Sequence, residues 1–337
     1  MLTKQIAYSI LDLAIVSKGT TLAQTFNHSL ALAQAADEVG YTRYWLAEHH
    51  NSEAIGSSAT SILIGKIAEG TKRIRVGSGG IMLPNHSPLI IAEQFGTLGI
   101  LYPNRIDLGL GRAPGTDQAT ANAIRSDFYQ AAMSFPTEVQ KIQDYFSIKN
   151  ASEKVRATVA EGVDVPLYIL GSSTDSAHLA ASKGLPYAFA SHFATTHLMN
   201  ALDIYRREFQ PSEVLEKPYT LAGVNIIVAD TDEEAERIST SLYRMIISLL
   251  TGKRDQMQPP IDMTEELREV SQHSTVQQML KYTFIGSKDT VKRQVKHFIE
   301  TTEVDELIAV TNIFDGKDRI KSYQLFAEIM QELNGKG

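Results

Sequence analysis

Glu48, His49 and His50 stand in a row at the end of a short apolar run. Side chains of these types can ligate a metal, trade protons or brace a polar layer. Ligation requires convergence on one point, whereas neighbours on a strand point to opposite faces, so at most one of the two histidines turns toward a shared centre. No metal site is expected. Two readings stay open: proton handling or anion stabilisation by His49, or two histidines that are merely hydrogen-bonded. A second constellation is Gly171, Ser172, Ser173 and Ser176, which follow one predicted strand and open a helix. Free backbone N–H groups and hydroxyls at a helix N-terminus make an anion cradle, although serine is also an ordinary N-cap. Arg112, closing the neighbouring strand, adds a guanidinium able to clamp a phosphate. Gly79 and Gly80 close a third strand, where missing side chains let a flat ring approach the backbone; a bulge or turn explains them equally well.

The elements that must carry these residues follow from periodicity. Strand-like runs at 5–11, 43–48, 74–79, 106–111, 166–170, 187–190, 221–229 and 306–310 alternate with helical patterns. The first helix has Thr20 or Thr21 as N-cap and Gly40 as its stop, and the fifth is closed by Gly184. Eight strand–helix units without a Pro/Gly/Ser-rich linker predict one (β/α)8 TIM barrel over residues 1–337, with insertions after strand 4 and before strand 8. The insertions are 112–136 and an irregular stretch at 251–285, the latter read as an inserted helical excursion or a mobile lid. In such a barrel the site lies where strands end at their C-termini. Besides the residues above, those ends supply Asp12, Ser191, His192, Thr311 and Asn312. A phosphate site after strands 4 and 5 departs from the usual barrel position after strands 7 and 8.

Composition removes several functions. The 337 residues include 32 Lys+Arg against 39 Asp+Glu, a net charge of −7, so no basic field exists for nucleic acid or an anionic membrane. Absence of cysteine excludes disulfides, thiolate metal sites and a cysteine nucleophile. No lysine closes a strand, which disfavours Schiff-base chemistry. Gly77 and Gly79 are followed by Met82, and Gly109 and Gly111 by Pro114, where a dinucleotide fingerprint needs its third glycine. The uncharged stretch 76–92 is broken by glycines and prolines and cannot span a membrane, and a cytoplasmic location is expected.

Several stretches together resemble the bacterial luciferase-like, flavin-dependent monooxygenases: YWLAEHH at 44–50, RIRVGSGGIMLPNHSPLIIAEQFGTL at 73–98, RIDLGLGRAPGTD at 105–117, PLYILGSS at 166–173 and FASHF at 189–193. The resemblance covers essentially the whole chain. It implies a (β/α)8 barrel that binds FMN, reduced by a separate flavin reductase, and uses O2 to oxygenate a small organic substrate. His49 then corresponds to the catalytic histidine, with Glu48 beside it. Gly79 and Gly80 correspond to a non-proline cis peptide under the flavin, and Arg112, Gly171, Ser172, Ser173 and Ser176 to phosphate-binding positions. Gly111 occupies the place of a reactive cysteine in luciferases, so chemistry dependent on that thiol is absent. Hydride transfer with a flavin or deazaflavin and no oxygen insertion, or flavin binding without turnover, are the alternatives. A homodimer is also expected from the resemblance, and the apolar residues Ile62, Ile64, Ile67, Ile90, Ile91 and Phe95 are compatible with it.

Overall fold

The structure is a computed structural model that describes residues 2, 4–253 and 255–335. Among the described residues nine strands form: β1 (Ala7–Asp12), β2 (Arg43–Leu46), β3 (Arg75–Met82), β4 (Ile106–Gly111), β5 (Leu167–Gly171), β6 (Tyr187–Phe189), β7 (Thr220–Ala229), β8 (Thr283–Ser287) and β9 (Glu306–Val310). Eight of them, β1 to β7 and β9, close a parallel ring through the β6–β7 and β9–β1 pairings, with helices between strands. The chain is therefore a (β/α)8 TIM barrel, as its alternation predicts.

Local chemistry sets the boundaries. Thr21 caps the helix Leu22–Glu38 in a reciprocal box with Gln24, and Gly40, at φ +85°, ends it in a conformation that a side chain would disfavour. Helices Pro88–Leu101 and Asp232–Leu250 occupy the spans that periodicity assigns. The insertion after β4 folds into helices Gln118–Ile124, Phe128–Met133 and Phe135–Phe146. No helix among the described residues is long and apolar enough to cross a membrane.

The stretch 251–285 is the helical excursion that the sequence suggests. It holds the helices Glu265–Gln272 and Ser274–Met279 and runs into β8, which pairs with Asn225–Ala229, the upper half of β7, outside the ring. These helices bury one residue each, Leu267 and Val276, too few for a periodic signal. Met257 pairs with Ser17, and Gln278 exchanges hydrogen bonds with Thr195, tying the segment to the barrel top. The proposed contact cluster also changes. Ile64, Ile67, Ile91 and Phe95 lie in the chain's own core, because helices around a barrel must bury one face on the sheet. Ile62 and Ile90 remain exposed, together with Ile100 and Leu101 on the same helix as Ile90.

Inward-facing residues stack in layers. At the floor, Arg43 reaches Glu306 (2.7 Å), Asp107 (2.8 Å) and the Tyr168 hydroxyl (2.7 Å), while Arg75 and Trp45 also donate to Asp107 and Tyr219 donates to Glu306. Arg43 sits 5.5 Å from the Trp45 ring centroid and 5.0 Å from that of Tyr168. Burial opposes its charge, but Glu306 and Asp107 prevail and raise its pKa. Above lies an apolar layer that includes Leu11, Trp45, Ala188, Leu221 and Ile308. The top layer is the candidate site.

Candidate functional site

Strand β3 carries one residue more than β4 between Ser78/Leu108 and Ile81/Leu110, and this bulge places Gly79 and Gly80 at the barrel wall. The Gly79–Gly80 peptide is cis. The Ser78 hydroxyl spans the interrupted ladder, accepting from the Gly109 amide (3.0 Å) and donating to the Gly109 carbonyl (2.9 Å). Close packing forbids side chains here: a Cβ on Gly109 would stand 2.2 Å from the Ser78 carbonyl oxygen, and one on Gly80 2.7 Å from that of Gly109. The backbone thus forms a smooth wall along β3 and β4, continued at Gly111.

Glu48 and His49 divide as strand parity requires. The Glu48 carboxylate is buried and saturated: Oε1 accepts from Nε2 of His50 (2.8 Å), Nε2 of His86 (2.8 Å) and Nδ2 of Asn85 (3.1 Å), and Oε2 from the Met82 amide (2.9 Å). Burial pushes its pKa up, but the histidine and backbone hydrogen bonds outweigh it and hold the group at about 2. Glu48 therefore fastens the loops after β2 and β3 to each other and has no oxygen lacking a protein donor. The His50 contact is local, two residues along the chain, whereas His86 reaches Glu48 from 38 residues away, a pairing that periodicity does not show.

His49 is the inward histidine. Its backbone amide is held by the Ser57 carbonyl (3.1 Å), and its Nδ1 is shut from solvent without a hydrogen-bond partner. Burial, opposed by Glu48, lowers its pKa, so the ring is neutral near pH 7. His192, at the end of β6, reaches the same space with its own Nδ1 sealed and unpartnered. Asn312 donates to Asn225 (3.2 Å), and Asn225 to the His192 carbonyl (2.6 Å), closing the far side.

The anion cradle forms where β5 meets the helix Thr174–Lys183. Ser173 occupies the N-cap without a side-chain capping bond, so the first-turn N–H groups are left to a ligand or solvent. Arg112 approaches the same turn, its Nη2 3.2 Å from Asp175 in an exposed pair worth little energy. Ser176 plays another part than the sequence suggests: its hydroxyl donates to the Ser173 carbonyl (2.7 Å) and meets the Tyr187 hydroxyl (3.0 Å), bracing the turn from below. A Cβ on Gly171 would stand 1.9 Å from the Ser176 Oγ, so glycine is required there. Two clefts of about 400 and 390 Å³ lie off this axis, one beside His86 and Arg125, the other under the floor near Tyr219.

Comparison with known proteins agrees with the fold. A family model described as luciferase-like monooxygenase matches residues 7–306. The chain is 46% identical over 335 residues to a protein of Escherichia coli strain K12 named luciferase-like monooxygenase, covering 99% of this chain and 100% of that one. It is 30% identical over 329 residues to the N-acetyl-S-alkylcysteine monooxygenase of Bacillus subtilis, covering 96% and 98%. The crystal structure of apo-MsnO8 superposes with a TM-score of 0.89 at 33% identity, covering 97% of this chain and 99% of that one.

Proposed function

Because the chain belongs to the luciferase-like monooxygenase family, we propose that it is an FMN-dependent monooxygenase whose barrel mouth receives reduced FMN from a separate reductase and oxygenates a small organic substrate. The observation that carries this reading is the alignment of three features on one rim: the side-chain-free wall of β3 and β4, the open helix N-terminus at Ser173 with Arg112 beside it, and the neutral, unpartnered His49.

These residues fit the cofactor. A planar ring needs backbone at van der Waals distance, which the glycine wall supplies, and a phosphate dianion needs N–H donors and a cation, which the cradle supplies. When bound, reduced FMN delivers two electrons to O2, so that one oxygen atom goes to the substrate and the other leaves as water. The protein's part is to bind and orient. Arg112 and the amides of the helix start hold the phosphate, with the Ser172 and Ser173 hydroxyls at hand. His49 holds or returns a proton beside the ring, being neutral at working pH. Glu48 keeps its two loops in register and so fixes the backbone from which His49 projects.

Exposed Ile62, Ile90, Ile100 and Leu101 support assembly as a homodimer through the helices after β2 and β3. Fluorescence titration with FMN and with riboflavin tests the binding half of the reading. FMN is expected to bind at least about tenfold tighter, and Arg112→Ala to remove most of that preference while leaving riboflavin affinity alone. Equal affinities would sink it. Oxygen uptake with reduced FMN tests the chemical half, hydride transfer without oxygen being the outcome if uptake does not exceed free flavin oxidation.

A further inference from the structure

The mouth holds two inward imidazoles, and the reading above employs one. His192 lies in the turn just after β6, and its ring enters the barrel against Gly223, which shares the inner face of β7 with Leu221 of the apolar layer. Its backbone is fixed by the Asn225 amide side chain on its carbonyl (2.6 Å) and by Ser191, whose hydroxyl donates to the Gly223 carbonyl (2.6 Å). The ring lies flush with β7, where a Cβ on Gly223 would stand 2.4 Å from its Nδ1, and its other neighbour is the Phe193 ring at 4.9 Å. His49 stands just past the end of β2, near enough that charge on His49 disfavours charge on His192.

In both rings Nδ1 is sealed and unbonded, whereas Nε2 is neither sealed nor engaged by any described residue. A neutral imidazole has one proton to place. An N–H buried without an acceptor is rarer and costlier than an acceptor without a donor, so each ring keeps its proton on Nε2, the nitrogen open to the mouth. Burial keeps His192 uncharged, its pKa pushed down to about 4.

We propose that His49 and His192 act as a paired donor, two neutral Nε2–H groups presented to one oxygen atom of the substrate that bears or gains negative charge, with Gly223 admitting the second ring. This deepens the reading of the mouth as the reaction site and rests on it. Two fixed donors stabilise charge developing on oxygen, and they do so best where water is excluded. The substrate class this selects is an oxygen-bearing compound, a carbonyl or an ionisable hydroxyl, over a hydrocarbon of the same shape.

The probe is 4-nitrophenolate, added to flavin-free protein at a pH where it is ionised, with nitrobenzene as the uncharged analogue that lacks the phenolate oxygen. Wild type should bind the phenolate tighter than nitrobenzene. His192→Phe should weaken the phenolate by about tenfold or more, His192→Gln by less, and neither should change nitrobenzene by more than about twofold. A phenolate affinity untouched by His192→Phe, an equal loss for nitrobenzene, or no preference in wild type overturns the proposal. Nitrogen-15 spectra of histidine-labelled wild type give a measurement that needs no variant to fold: protons on Nε2 of both rings are expected, and Nδ1–H on either refutes the pair. FMN titration of the same proteins keeps the two claims separate, since a chain that binds FMN without favouring the phenolate loses only the paired donor, and one that favours the phenolate without binding FMN loses only the flavin reading.

Discussion

At the scale of single residues, the site is built from groups whose ordinary state has been altered by where they sit. His192 is the plainest case. Its folded pKa, about 4, lies below that of a histidine in an unfolded chain, about 6.5, so the neutral ring contributes stability that is complete above about pH 6.5 and is lost as pH falls toward 4. His192→Phe should therefore flatten the urea-stability profile between those limits, by roughly 2 kcal/mol, while leaving a separate decline at lower pH. That second decline belongs to Glu48. Its carboxyl is depressed to about 2, so its contribution is full above about pH 4.5 and disappears as pH falls through 2. Glu48→Gln should remove the lower component and, at pH 7, destabilise the protein by about 2 kcal/mol, because two imidazoles lose their anion. A profile unchanged by either substitution would show that burial at these positions is less complete than the structure indicates.

Elements decide which of the residues legible in the sequence come together. The strand-closing positions were readable because parity and a strand-then-helix rhythm are local properties: Arg112, the 171–176 turn, Gly79–Gly80 and His49 all reach the rim that alternation assigns them. What stayed hidden depends on contacts distant in sequence. Ser176 looks like a free hydroxyl until Tyr187, eleven residues on, is folded against it. His86 looks like a loop residue until the fold brings it onto Glu48 from 38 residues away. Strand β8 escaped notice because five residues beside two short helices carry no lasting period, and its partner is a strand that already has neighbours in the ring. The turn after β5 gives a sharp test at this scale. Gly171→Ala must push Ser176 aside, since the added carbon would lie 1.9 Å from its hydroxyl, and the helix start moves with it. FMN affinity should fall by about tenfold or more while thermal stability drops only modestly; unchanged FMN binding would take the phosphate away from this turn.

For the molecule as a whole, the barrel floor ties non-neighbouring strands of the ring together. Arg43 joins β2 to β4, β5 and β9 through charged and phenolic partners in a space with almost no solvent access. Removing one member of a buried ion cluster strands the rest, so Arg43→Met should cost about 3–5 kcal/mol in denaturant unfolding, with nothing near the mouth having changed. Retention of FMN affinity by the folded fraction would separate the floor from the site. Assembly is testable at the opposite surface: replacing Ile62 and Leu101 by aspartate should reduce a sedimenting dimer to the mass of one chain, and a wild type that sediments at that mass already would remove the homodimer.

The long seventh strand makes the rim lopsided. Its first half belongs to the ring, while its second half rises past it beside β8, backed by Ile238, Leu242 and Ile246 of the helix Asp232–Leu250 in a hydrophobic cluster of their own. Four residues of extended chain beyond the ring amount to a parapet of about 13 Å on that flank. The opposite flank, above the glycine wall, is followed by the loop after β3 and by the helices inserted after β4. A visitor to the mouth thus meets a bank of extended chain on one shore and a bank of helices on the other, so the two shores yield to it differently: a paired strand holds its course, whereas short helices joined by loops can shift.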